Sequence, residues 1–161
     1  MLKISAVIIT YNEEKYIEQC IKSVRDVADE IIVVDSLSND RTPEICQRLG
    51  VKFIEQSFLG YKEQKNFAVG QASHDYILSL DADEALSVEL KNQILRIKND
   101  ENPQAGYTFN RLNFYCGQWV YHTTLYPDKK LRLFDRNKGE WGGLNPHDCF
   151  KLKTGYQSKQ L

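Results

Sequence analysis

Tyr76-Ile77-Leu78-Ser79-Leu80-Asp81-Ala82-Asp83-Glu84 is a short apolar run that ends in three carboxylates. Read as a strand, it sends alternate side chains to opposite faces, so Asp81 and Asp83 point the same way at its tip. Two carboxylates that close repel unless a cation lies between them. Hard divalent cations take oxygen ligands, and Mg²⁺ is commonly held by one or two carboxylates together with substrate phosphates. The stretch therefore predicts a metal–diphosphate site at a strand end. The plainer alternative is a polar strand-to-helix turn with acids near the next helix N-terminus.

Working back towards the N-terminus, apolar strands alternate with helical periodicity. Ile4–Thr10 is β-branched and nearly continuously apolar, as a strand buried on both faces should be. Tyr11-Asn12-Glu13-Glu14 predicts a helix start with Asn12 as cap. Tyr16, Ile17, Cys20, Ile21, Val24, Val27 and Ala28 then recur at helical spacing. Glu30–Asp35 reads as a second buried strand, followed by the polar turn Ser36-Leu37-Ser38-Asn39-Asp40. Thr42 and Pro43 open a further helix as cap and first helical residue, and Gly50 stops it. Val51–Ile54 is a short strand, and Tyr61–Ala72 a helix carrying Lys62, Lys65 and Asn66.

This strand–helix alternation implies right-handed crossovers and a mostly parallel α/β sheet. Such sheets bind ligands beyond the carboxyl ends of their strands. Those ends carry Thr10-Tyr11-Asn12, Asp35-Ser36 and Asp81-Ala82-Asp83, so three separate strands deliver polar residues to one edge.

Working forward, Ser87–Asn99 predicts a helix with Ser87 as cap and Leu90, Ile94, Leu95 and Ile97 on its apolar side. Tyr107–Phe114 and Lys130–Asp135 alternate as strands of a mixed or antiparallel part. The aromatic residues of this region are expected in the core. Gly155–Leu161 reads as a polar tail that frays, or as the point where a longer protein has been cut.

Composition narrows the function classes. A chain of 161 residues suffices for one domain with a sizeable core. A net charge of −1 gives no electrostatic case for nucleic-acid binding. Cys20, Cys46, Cys116 and Cys149 are widely spaced without a Cys-x-x-Cys pair, which argues against a zinc or redox motif and for a reducing compartment. The start of the chain lacks the pattern of a signal peptide, and its apolar runs are far too short to span a bilayer. The expectation is a cytoplasmic protein.

Several segments together resemble the inverting glycosyltransferases of family 2, with the GT-A fold. They are Ile8-Ile9-Thr10-Tyr11-Asn12-Glu13-Glu14, Val33-Val34-Asp35-Ser36 with Ser38, Asp40 and Thr42, Gln64-Lys65-Asn66-Phe67-Ala68, and Leu78 to Glu84. Tyr126-Pro127-Asp128, Leu131-Arg132-Leu133-Phe134 and the spacing Trp141…His147-Asp148 are similar to the branch that glucosylates lipopolysaccharide core. The resemblance implies one GT-A domain over 1–161: a nucleotide-sugar half (1–99), an acceptor-side half (100–155) and a tail (156–161).

It implies transfer of a sugar, glucose in that branch, from a UDP-sugar to a saccharide acceptor that is lipid-linked. Peripheral contact with the inner membrane follows from such an acceptor. Thr10, Tyr11, Asn12, Glu13, Asp35, Lys65 and Asp81 would contact the nucleotide sugar. Asp83, with Asp81, would hold Mg²⁺ or Mn²⁺. Breaking a glycosyl–phosphate bond leaves a diphosphate of growing negative charge, which a divalent cation neutralises. The acceptor hydroxyl needs a general base. Asp148, next to His147, is the preferred base and Glu140 the reserve. The branch usually carries His-Glu where this chain has His147-Asp148.

In relatives the pattern runs on past this point, with a His that can complete the metal shell and an amphipathic segment that touches the membrane. The competing expectation is therefore a non-catalytic or truncated nucleotide-sugar-binding domain that needs further residues or a partner. A nucleotidyltransferase would require a glycine- and basic-rich loop after the first strand, and a dinucleotide-binding enzyme a Gly-x-Gly-x-x-Gly; the sequence has neither.

Overall fold

The computed structural model describes residues 1–122, 126–145 and 147–161. Strands β1 (Ile4–Thr10) and β2 (Glu30–Asp35) are built largely of Ile and Val, which suit a pleated surface covered on both sides. With β3 (Lys52–Glu55) and β4 (Tyr76–Asp81) they form a parallel array in the order β4-β1-β2-β3. The crossovers are helices α1 (Ile17–Val24), α2 (Thr42–Arg48) and α3 (Tyr61–Gly70), and α4 (Val88–Lys98) follows β4.

The second part of the chain extends the same sheet. β5 (Gly106–Arg111) and β8 (Asp128–Asp135) are antiparallel to each other, and β8 is antiparallel to β4. Two hairpins stand apart: β6 (Asn113–Tyr115) with β7 (Gln118–Val120), and β9 (Gly139–Gly142) with β10 (Cys149–Leu152). The stretch read as a tail instead contributes β11 (Ser158–Gln160), parallel to β5, which completes the order β11-β5-β8-β4-β1-β2-β3. Its polar side chains hide this pairing, because an edge strand is held by backbone hydrogen bonds.

Strand alternation divides the core into two layers. Ile4, Ala6 and Ile8 of β1 face Ile17, Cys20, Ile21 and Val24 of α1 and Ile94 and Ile97 of α4. Val7, Ile32, Val34 and Ile77 face Ala68 of α3 and the aromatic group Phe134, Trp141 and Phe150. Phe134 stacks on Phe150 at 3.5 Å between ring centroids, and Trp141 meets both edge-on. This cluster fastens the β9–β10 hairpin over α3 and the sheet. Asn66 adds a two-way clip: its Nδ2 donates to the Trp141 carbonyl (3.1 Å) and its Oδ1 accepts from the Trp141 N–H (3.3 Å).

Several local expectations change. Asn12 is not a helix cap: it adopts a left-handed backbone (φ 53°), and α1 begins only at Ile17. Thr42 is the first residue of α2, not its cap, and its Oγ1 accepts from the Glu13 N–H. Ser87 does cap α4, accepting from the Leu90 N–H. Leu95, expected on the apolar side of that helix, is exposed. Of the aromatic residues, Tyr107, Phe109, Phe134 and Trp141 are buried, whereas Phe114, Tyr115, Trp119 and Tyr121 are exposed on and beside the β6–β7 hairpin. Cys20 and Cys46 are buried and Cys116 and Cys149 exposed, all as free thiols. No helix among the described residues is long and apolar enough to cross a membrane.

Candidate functional site

The strand order reverses at β1: β2 and β3 lie on one side and β4 on the other. A crevice at the carboxyl ends is expected there. The register aligns the tips, with Thr10 opposite Asp35 and Ile9 opposite Asp81. A cavity of about 630 Å³ opens at this edge, lined by Thr10, Tyr11, Glu13, Ser36, Asp81 and Asp83, with Phe58, Tyr61 and Arg111 on its flanks. Three strand ends thus meet in one space.

Two loops shape its floor. Asp35 is fully buried, and its oxygens accept from the Ser38 N–H (2.7 Å) and the Ser38 hydroxyl (2.5 Å). This folds the chain back through Leu37, which is left-handed at φ 65°. Ser38 Oγ in turn accepts from the Asn12 N–H, and Asn12 Oδ1 from the Asn39 N–H. Asp35 and Asn12, both expected on the nucleotide, thus also brace the two loops beside the cavity. Thr10 Oγ1 is different: it is buried and has no hydrogen-bond partner among the described residues. Buried hydroxyls are rarely left unpaired, so this one is suited to receive a ligand atom.

The acidic tip is organised by cations. Asp81 Oδ2 accepts from Arg132 Nη2 at 2.9 Å, and Lys65 Nζ lies 3.2 Å from Asp81 Oδ1. That second contact is an ion pair without hydrogen-bond alignment, since Oδ1 has no aligned donor among the described residues. Burial pushes the Asp81 carboxyl up, but Arg132 and Lys65 outweigh it and hold the group below the usual carboxylate range. Glu84 braces the turn: its Oε2 accepts from the Asp81 N–H, and its Oε1 accepts from Arg132. The sequence alone shows the Asp81/Asp83 repulsion; it cannot show that two buried cations from α3 and β8 settle half of it.

Asp83 is exposed and makes no hydrogen bond or ion pair with any described residue. Its field, after burial, raises the Glu13 carboxyl, which Asp40 raises further. No group of three or more His, Cys, Asp or Glu among the described residues could hold a metal ion by itself. The donor set nevertheless fits a cation that takes one free protein carboxylate, Asp83, and draws its other oxygens from a bound phosphate. Asp81, expected beside Asp83 at the metal, also lines the cavity, with Lys65 and Arg132 at its two oxygens.

Lys65 links this tip to the expected base. Its side chain is 6% exposed, and Nζ lies 2.8 Å from Asp148 Oδ2 and 4.6 Å from the centre of the Trp141 ring. Asp148 is thus brought beside the donor-side carboxylate, with its own side chain 5% exposed. His147, its neighbour, is exposed. Glu140 is exposed on β9, next to the inward-facing Trp141. Since adjacent strand residues face opposite ways, Glu140 points away from Lys65 and Asp81. Arg132 and Arg111 were not singled out from sequence as site residues; the only hint was the Leu131-Arg132-Leu133-Phe134 run, one charge among three apolar residues.

Comparison with known proteins bears on the family and the fold. An uncharacterized glycosyltransferase of Rickettsia typhi is 39% identical over 84% of this chain and 47% of its own length. The lipopolysaccharide core biosynthesis glycosyltransferase LpsC of Rhizobium meliloti is 32% identical over 87% of this chain and 53% of its own. The chain therefore spans about half the length of these relatives. Among solved structures, S. aureus TarS superposes with a TM-score of 0.59 at 24% identity, over 74% of this chain and 23% of TarS. Its 1–349 segment in complex with UDP gives 0.52 at 25%, over 74% and 38% of the two chains. The glycosyl transferase family 2 profile matches residues 5–158, from the first strand through the last, and the chain belongs to that family.

Proposed function

We propose that this chain forms the donor site of an inverting glycosyltransferase that moves a sugar from a UDP-sugar to a saccharide acceptor. The observation that carries the reading is the meeting of Thr10, Tyr11, Glu13, Asp81 and Asp83 in one cavity at the carboxyl edge of β1, β2 and β4. The likeness to TarS in complex with UDP supports a uridine nucleotide as donor carrier. The relationship to LpsC supports a lipopolysaccharide-core saccharide as acceptor; glucose as the donor sugar and work at the cytoplasmic face of a membrane are further parts of the proposal.

Each residue has a task in this reading. Thr10 offers its unpaired hydroxyl, and Tyr11 its exposed ring, to the nucleoside. Asp81, fixed by Lys65 and Arg132, accepts from the ribose side. Asp83 holds Mg²⁺ or Mn²⁺ against the diphosphate; such an ion neutralises the charge that grows on the leaving group. Lys65, the ammonium beneath the cavity, adds positive charge on the same side. Asp148 is the base that takes the acceptor proton, within the 100–155 segment proposed as the acceptor side. His147 flanks it.

The ion pair between Lys65 and Asp148 favours a second reading, a nucleotide-sugar-binding domain without turnover. A carboxylate buried against an ammonium cannot meet an acceptor hydroxyl until that pair opens. Release of UDP from UDP-glucose, in the presence of Mn²⁺ and a core saccharide, separates the two. Acceptor-dependent UDP release supports transfer; tight UDP-glucose binding with no release supports the binding domain.

A further inference from the structure

Leu131-Arg132-Leu133-Phe134 places one charge among the apolar residues of the buried half of β8, and nothing in the proposed reaction requires it. Yet Arg132 is 5% exposed, in the interior next to β4. Leu133, its neighbour, pairs with Leu78, so Arg132 follows that pair toward the Asp81 end of β4. Its Nη2 reaches both Asp81 Oδ2 (2.9 Å) and Glu84 Oε1 (2.5 Å). Arg111 Nη1 approaches the same Glu84 oxygen at 3.4 Å. Glu84 also holds the Asp81 N–H, and the Glu84 N–H donates back to the Asp81 carbonyl. The Asp81–Glu84 turn is therefore closed on itself and bolted to β8 by one guanidinium.

We infer that Arg132 is a positioning residue of the donor site: it sets the orientation of Asp81 and the shape of the turn that presents Asp83, without touching the ligand itself. This rests on the reading of the cavity as a UDP site. Two carboxylates near the interior repel, and only a shared counter-charge keeps both ionised with fixed oxygens. A guanidinium is planar and always charged, so it holds both in one geometry; a lysine in its place is a point charge that can satisfy one of them. Lys65 already occupies the other Asp81 oxygen from α3. Arg132 from β8 and Lys65 from α3 thus grip the two oxygens of Asp81.

The test compares UDP affinity, by calorimetry with Mn²⁺, in the wild-type chain, Arg132→Lys, Glu84→Gln and a control, Lys98→Met. The control removes another buried ion pair, Lys98 with Asp29, beside the start of β1 and far from the strand tips. Melting temperatures are recorded for all four. The expected result is a loss of UDP affinity of about tenfold or more in folded Arg132→Lys, a loss in the same direction in Glu84→Gln, and wild-type affinity in the destabilised control. Should Arg132→Lys be unfolded, Glu84→Gln carries the test, because it keeps the shape and weakens the same grip. Wild-type affinity in folded Arg132→Lys or in Glu84→Gln, with only a lowered melting temperature, overturns the inference and leaves a structural ion pair. Absence of UDP binding by the wild-type chain instead overturns the donor-site reading on which it rests.

Discussion

At the scale of single residues, the site is a set of charges settled in pairs. Lys65 has Asp148 at 2.8 Å and Asp81 at 3.2 Å, while Asp83 is left over at the mouth. Replacing Asp148 by Asn keeps the shape and an acceptor for Lys65 but removes the proton-accepting charge. Turnover should fall by about 10²-fold or more, with UDP affinity unchanged, as steady-state kinetics and calorimetry would show. Full turnover in that variant would move the base elsewhere. The sequence made Asp81 and Asp83 legible because two acids at the end of an apolar strand are conspicuous. It concealed that they differ. The cations that separate their roles come from α3 and β8, 16 residues upstream of Asp81 and 51 residues downstream. Asp35 was legible as a strand-end acid, but its commitment to Ser38 is a matter of turn geometry that spacing does not reveal.

At the scale of elements, the helix that carries Lys65 is held from a distance. Gly60 precedes α3 with a left-handed backbone (φ 133°) and offers no capping side chain. Asn145, far along the chain, does that work: its Oδ1 accepts from the Lys62 N–H at 3.1 Å and its Nδ2 donates to Glu63 at 3.2 Å. A helix N-terminus has N–H groups without intrahelical partners, and supplying one typically contributes about 1 kcal/mol. Asn145→Ala should therefore lower unfolding free energy by about 1 kcal/mol in urea titrations, with the denaturant slope unchanged. An unchanged midpoint would show the cap to be dispensable. The strands and most helices were legible because Ile and Val runs alternate with 3.6-residue periodicity. Helix starts were less so: Asn12 has the chemistry of a cap, but here it bridges two loops, and the true start of α1 lacks any side-chain cap. The β11 strand was missed for a related reason, since pairing at a sheet edge leaves little hydrophobic pattern to read.

At the scale of the whole molecule, two layers of core keep the strand tips in register, and the opposite end of the sheet is pinned by charge. Asp29 Oδ1 pairs with Lys3, its Oδ2 with Lys98, and Oδ2 also accepts from the Ile4 N–H. Burial pushes the Asp29 carboxyl up, but these three donors outweigh it and hold it well below the usual range. A carboxylate depressed in the folded state stabilises the fold fully above its unfolded pKa of about 3.9 and loses that contribution as pH falls towards the folded value. Stability should thus decline below about pH 4, and Asp29→Asn should flatten that decline while lowering stability at pH 7; an unaltered acid limb would remove Asp29 from the account.

The four parallel strands and the meeting of their tips were readable from the chain, but the order β3-β2-β1-β4 comes from the structure. The β8 and β5 strands that supply Arg132 and Arg111 were readable as strands only, because which neighbour an antiparallel strand chooses depends on contacts far apart in sequence. The central claim, a UDP site built on those tips with Asp83 at its cation side, is tested most directly by calorimetric titration with UDP, with and without Mn²⁺, on the wild-type chain and on Asp83→Ala. The account predicts Mn²⁺-strengthened binding to the wild-type chain. In a variant as stable as the wild type, that strengthening should be lost at a cost of about tenfold or more in affinity. Equal Mn²⁺-strengthened affinity in the two proteins would contradict the role given to Asp83, and a folded wild-type chain that binds no UDP under either condition would contradict the site itself.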